Sequence, residues 1–199
     1  MNKKNKTYRL TIRAILTAII IVQAMIPFFG YIPLGIVSVT IIHITVIVAA
    51  ITLGMKDGMF IGLMWGIFTI IRAFTSPSTP LDIAVFTNPI ISVVPRVLVG
   101  LVAGFLFHWL YHKSKKVVFS SVIAAIFGTL TNTVLVLGLM GLLYTNLVAK
   151  TYGVDTSALF TTLSALVVTN GIPEVIAAAV ITPIIVKALF ASTQLKPGE

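Results

Sequence analysis

From residue 14 to residue 55 the chain carries no Asp, Glu, Lys or Arg. That run is about twice the ~20 residues one spanning helix requires. Pro27, Gly30 and Pro33 fall inside it and mark a hinge between two helices. Downstream, apolar runs alternate with short polar clusters around Lys56 and Asp57, at 75–82, at 112–116 and at 145–155. The pattern predicts six helices, at about 10–27, 34–55, 58–74, 83–110, 117–144 and 159–189. The expected fold is an all-α integral membrane protein, one membrane domain over residues 1–199, with the lipid bilayer as its surroundings.

Composition agrees: 58% of the residues are hydrophobic and 10% charged, against roughly 25% charged in soluble domains. The spans consume nearly the whole chain, which leaves no room for a soluble catalytic or ATP-binding domain. The basic start resembles a signal peptide only superficially, because no short apolar region ends in a small-residue cleavage site. Related halves, as in an inverted-repeat transporter, are not visible.

The net charge of +9 does not point to nucleic acid, because its placement follows topology. Lys3, Lys4, Lys6, Arg9, Arg13, Lys56, Lys113, Lys115, Lys116, Lys187 and Lys196 fall near one set of helix ends, and only Arg72 and Lys150 near the other. With an even number of spans this asymmetry sets both termini in the cytoplasm. The segments around Lys56 and at 112–116 become inner loops, and 75–82 and 145–155 outer ones. The prolines of 75–82 suit a rigid rim.

Polar groups inside the spans then become the candidates for function. A cation at membrane depth costs at least ~3 kcal/mol and faces a protein interior or a wet cavity. Arg96 is such a cation, and Asn88, Ser92 and Arg96 follow one another at i+4 steps. Arg72 lies near the outer end of the third helix, with Trp65 roughly 10 Å deeper on nearly the same face. Asn170 and Glu174 are also i, i+4, with Pro173 between them, and Thr129, Asn132 and Thr133 lie midway along the fifth helix. Together they predict a pocket open to the outside. Arg72 and Arg96 supply cationic donors, Asn88, Ser92, Asn132 and Asn170 neutral polar groups, and Trp65, Phe86 and Tyr31 its walls. Such a pocket suits a small polar, anionic ligand.

Each group also has a plainer reading. Arg96 either bridges Glu174 or meets the ligand; Arg72 either snorkels or binds; the asparagines either join helices or line the pocket. His43 reads first as a satisfied interior histidine and stays a pocket candidate. No cysteine is present, which removes disulfides and thiolate chemistry. His108 and His112 sit beside lysines with no neighbouring carboxylate, and no zinc-protease, nucleophile-elbow or phosphate-loop motif occurs, so no metal, cofactor or catalytic residue is expected. Asp82 and Glu174 could act as a pair, though nothing in the sequence makes them meet. Ala14 and Ala18, four apart on the first helix, allow close approach of a partner helix.

Six helices in this length, a basic N-terminus leading into Ala14-x-x-x-Ala18, and an outward pocket resemble a substrate-binding S component of an energy-coupling factor (ECF) transporter, over essentially the full chain. Trp65-Gly66, the stretches 71–75 (Ile-Arg-Ala-Phe-Thr) and 86–96 (Phe-Thr-Asn-Pro-Ile-Ile-Ser-Val-Val-Pro-Arg), 40–47 and 169–174 resemble the pantothenate-type members. The resemblance implies a vitamin-capture subunit without an ATPase of its own. It would dock on a membrane scaffold subunit carrying two ATPases and topple to deliver its cargo. Ala14 and Ala18 would lie on the scaffold-binding face, and 28–34 at the gating segment. Pantothenate would set its carboxylate on Arg96, with Arg72 the second choice. The alternatives are another vitamin or precursor (pyridoxine-like or hydroxymethylpyrimidine), a membrane-embedded enzyme acting on lipid or isoprenoid, and a stand-alone secondary carrier.

Overall fold

The computed structural model describes residues 3–26, 29–34, 37–77, 79–193 and 195–197. Five helical stretches are long and apolar enough to cross a membrane: Thr7–Met25, Met55–Thr75, Pro89–Ser114, Val117–Leu143 and Leu159–Ser192. In chain order the elements are α1 (Lys3–Met25), β1 (Tyr31–Leu34), β2 (Val37–Thr40), α2 (Ile42–Thr52), α3 (Met55–Thr75), α4 (Pro80–Phe86), α5 (Pro89–Ser92), α6 (Val94–Ser114), α7 (Val117–Leu143), α8 (Thr145–Tyr152) and α9 (Leu159–Ser192). The described protein is helical apart from one hairpin.

That hairpin replaces the first part of the helix expected at 34–55. β1 and β2 pair antiparallel, Tyr31 opposite Thr40 and Leu34 opposite Val37. An apolar run without periodicity does not distinguish strand from helix. Here Val37, Val39 and Thr40 are β-branched and suit the strand. What remains as α2 has 11 residues, a length of ~16 Å at 1.5 Å per residue, about half the hydrocarbon thickness. It survives because it is buried nearly all round, from Ile42 to Thr52, with only Thr45 less than fully covered. Non-helical backbone at this depth is tolerated where protein or a cavity surrounds it and its polar groups are paired.

The helix expected over 83–110 is broken into three, for a reason written at Pro89 and Pro95. Neither proline donates a backbone N–H, so carbonyls upstream lose their helical partners. Arg96 Nη1 donates at 2.5 Å to the Ile91 carbonyl, which Pro95 leaves without its i+4 N–H. Ser92 Oγ donates at 2.5 Å to the Phe86 carbonyl, whose i+4 N–H on Ile90 turns to Asn88 instead. Asn88 Oδ1 caps α5 by accepting from the Ile90 N–H at 2.9 Å. The expected outer loop at 145–155 likewise contains a helix, α8, ended by Gly153 in the left-handed region (φ 65°).

α3 and α6 pack backbone to backbone. Of the glycines that recur every fourth residue on α3, Gly62 meets Arg96 and Val97 of α6, Gly66 meets Ser92 and Val93, and Gly58 faces Ala50 of α2. Gly100 and Gly104 of α6 face back onto Gly58 and Met55. A methyl group at Gly66 would lie 2.8 Å from the Ser92 carbonyl oxygen, and one at Gly62 would overlap the Arg96 carbonyl. Small residues at this spacing permit such approach. α7 packs between α6 and α9, and α2 lies against α3, α6, α7 and α9.

At the end opposite the 75–82 segment, α1 is tied to α3. Asp57, 5% exposed, accepts from Arg9 at 3.1 Å and pairs with Arg13, while Arg9 also donates to the Leu53 carbonyl. Ala14 and Ala18 are exposed on α1, among exposed Ile15, Ile19 and Val22.

Candidate functional site

A cavity of about 690 Å³ opens among α3, α4, α6, α7, α8, α9 and the end of β2. Its position follows from the fold. The α3–α6 glycine contact brings Trp65 and Arg96 side by side, and the break at 87–93 brings Phe86 to the same guanidinium. Arg96 lies with its guanidinium carbon 5.0 Å from the Trp65 ring centre and 5.7 Å from that of Phe86. Both distances are within reach of a cation–π attraction. The arginine is 5% exposed and its remaining surface lines the cavity.

Glu174 enters from α9, also 5% exposed. Its carboxyl oxygens accept from the Thr40 backbone N–H at 2.9 Å and from the Thr133 hydroxyl at 3.0 Å. Thr40 and Thr133 thus hold the Glu174 carboxylate by hydrogen bonds, with the Arg96 charge nearby. Arg96 and Glu174 line one chamber. Asn132 is buried on α7 with its Oδ1 lacking a hydrogen-bond partner, and the Trp65 indole N–H is likewise unsatisfied. Asn170 is half-buried, one turn from Glu174. A buried donor and a buried acceptor left without protein partners beside a cavity are places where a ligand restores lost hydrogen bonds.

The cavity therefore gathers Trp65, Arg72, Phe86, Arg96, Asn132, Asn170 and Glu174. It does not gather Asn88, Ser92 or His43. Asn88 and Ser92 are engaged in the helix break, Asn88 Nδ2 also donating to the Tyr144 hydroxyl at 3.3 Å. The i+4 stripe assumed a continuous helix, and the two prolines remove that continuity. His43 is fully buried in the first turn of α2, and neither ring nitrogen has a hydrogen-bond partner, so the satisfied interior histidine expected from the sequence is not what forms. The side chain of Tyr31 lies outside the described residues.

Sequence reasoning missed part of the lining. Thr40 arrives through the hairpin, and Thr69 lies one turn from Trp65 on α3. Asp82 and Tyr152 form a rim across α4 and α8. Asp82 closes a capping box with Thr79. Burial first, and then the Asp82 charge, push the Tyr152 phenol above its ordinary range. Asp82 and Glu174 do line the same chamber, but each is held by its own local partners. The α3 glycine repeat was readable in the sequence and would have placed Trp65 against α6. Among the described residues no group of three or more His, Cys, Asp or Glu could hold a metal ion.

Five apolar spans, four of them walling a chamber with charged and aromatic side chains, define a multi-pass protein of the cell membrane whose chamber suits a small polar molecule. Over residues 8–186 the chain matches the family described as ECF transporter, substrate-specific component, and it belongs to that family. It is 45% identical over 115 residues to a protein named pantothenate transporter PanT of Leuconostoc mesenteroides subsp. mesenteroides, an alignment spanning 55% of this chain and 56% of that protein. It is 33% identical over 200 residues to a protein named pantothenic acid transporter PanT of Lactococcus lactis subsp. cremoris, covering 94% of this chain and 96% of that one.

Proposed function

We propose that this chain captures pantothenate from outside the cell in the α3–α6–α7–α9 cavity. It then hands the vitamin to a membrane scaffold subunit carrying two ATPases. The observation that carries the reading is the buried Arg96 guanidinium, within cation–π reach of both Trp65 and Phe86 at the cavity wall. Two similar proteins named for pantothenate transport support the choice of ligand.

Pantothenate has one carboxylate, two hydroxyls, an amide and a gem-dimethyl group, and the wall offers a counterpart for each. Arg96 takes the carboxylate, with Arg72 closer to the mouth as the first cation the anion meets. The glutamate and the two asparagines accept from and donate to the hydroxyls and amide. Val136, Leu137 and Met140 offer apolar surface for the methyls. Trp65 holds Arg96 in place and offers its N–H.

Delivery follows from the same architecture. With the hairpin and α2 taken as a sixth crossing, both termini lie in the cytoplasm in this reading, and the exposed Ala14–Ala18 face of α1 docks on the scaffold. The hairpin 31–40 lies where cargo must pass, so tipping the bundle and opening the hairpin release the vitamin inward. Reconstitution tests this arm: with scaffold and ATPases, liposomes should accumulate labelled pantothenate only with ATP. Uptake by this chain alone under an ion gradient would instead define a secondary carrier.

A further inference from the structure

A second cavity, about 720 Å³, lies at the opposite end of the bundle, between the start of α7 and the end of α9. Its walls are apolar: Val118, Phe119, Val122 and Phe190. Two lysines, Lys116 and Lys187, stand at its edge. Val118 and Phe119 are about half exposed (49% and 50%), so the groove is open rather than enclosed.

The two lysines are exposed and, among the described residues, neither has a carboxylate within 4.0 Å. Their neighbours differ. Lys113 and Lys115 on the same rim rest their ammonium groups over Trp109 and Tyr111, at 4.3 and 5.6 Å. Asp57, the buried carboxylate at this end of the bundle, is already held by Arg9 and Arg13. The groove thus combines apolar walls with two cations that, among the described residues, have no carboxylate within 4.0 Å. A zwitterionic lipid would bring its own cation to that edge, whereas an anionic one completes the charge.

We infer that this α7–α9 groove binds an anionic phospholipid, with its phosphate on Lys116 and Lys187 and an acyl chain along Val118 and Val122. Basic pockets between membrane helices take such headgroups, each lysine strengthening binding roughly fivefold. The site is separate from the vitamin chamber and independent of which vitamin is carried.

Native mass spectrometry of the purified, delipidated protein tests the assignment, with phosphatidylglycerol and phosphatidylcholine of identical chains as probes. Phosphatidylglycerol should bind at least tenfold more tightly. The double variant Lys116→Ala/Lys187→Ala should lose that preference, and Lys150→Ala, at the far end of the molecule, should keep it. Equal binding of the two lipids, or a preference untouched by the double variant, would overturn the site. Displacement by inorganic phosphate at equal concentration would show an anion site without a role for the chain. A dimer in the delipidated sample that the double variant dissolves would assign the face to a second copy of this protein and also defeat the proposal.

Discussion

The backbone N–H of Thr40 donates to Glu174 Oε1 at 2.9 Å, joining two residues 134 positions apart in sequence. Thr40 ends the hairpin and Glu174 sits in the middle of α9, beside Pro173. Because the other carboxyl oxygen accepts from Thr133 on α7, one side chain ties the hairpin to two spanning helices at the cavity wall. Anything that reorganises the hydrogen bonds of Glu174 therefore reaches the hairpin directly.

Glu174→Ala should release that tie. The two hydrogen bonds are worth about 1–3 kcal/mol together, so the amides of 37–40 should exchange with solvent at least tenfold faster while those of α7 change little. Glu174→Gln keeps an acceptor for Thr40 and should be milder. Hydrogen-exchange mass spectrometry reads both, and equal exchange in all three proteins would separate Glu174 from the hairpin.

Arg96→Ala should weaken pantothenate binding by more than tenfold, at least ~1.4 kcal/mol. It should also lower the melting temperature, because the Ile91 carbonyl loses its donor. Arg96→Lys keeps the charge but not the planar fork that donates to Ile91 and lies near both rings, and should recover only part of either loss. Unchanged affinity in a folded Arg96→Ala protein removes this residue from the site.

Gly62→Ala places a methyl group on the Arg96 backbone carbonyl. The α3–α6 contact must then part, at a cost of about 1–3 kcal/mol, and Arg96 moves with it. Gly138→Ala is the control, since nothing lies within 4 Å of a methyl group there. Thermal unfolding should rank Gly62→Ala well below Gly138→Ala, and affinity should follow the same order.

Asp57→Asn should loosen α1. The carboxylate is buried but both arginines are partly exposed (side chains 30% and 39%), so the loss lies between surface and buried ion pairs, roughly 1–3 kcal/mol. Vitamin binding, made far from α1, should persist, whereas capture by the scaffold should weaken if α1 presents the docking face. A pull-down with scaffold and ATPases separates the two effects.

Much of this protein was legible in its sequence. Charge-free stretches, proline hinges and intramembrane polar residues placed the spans and pointed to Arg96, Glu174, Asn132, Asn170 and Trp65, which line one cavity. Two things were hidden. The hairpin was masked because an apolar run rich in Val and Ile satisfies strand and helix alike, so Thr40 could not be foreseen at the site. The break at 87–93 was signalled by Pro89 and Pro95. Yet which of Asn88, Ser92 and Arg96 would serve the broken backbone depends on where the freed carbonyls point. Arg96 does both, serving Ile91 and facing the cavity; Asn88 and Ser92 do only the first.

The central claim is that the cavity holds pantothenate by its carboxylate, and equilibrium binding of labelled pantothenate to the purified protein in detergent tests it most directly. The account predicts stoichiometric binding that unlabelled pantothenate displaces and neutral vitamins of the pyridoxine and hydroxymethylpyrimidine kinds do not. Absence of binding to folded protein, or displacement by a neutral vitamin with equal strength, would contradict it.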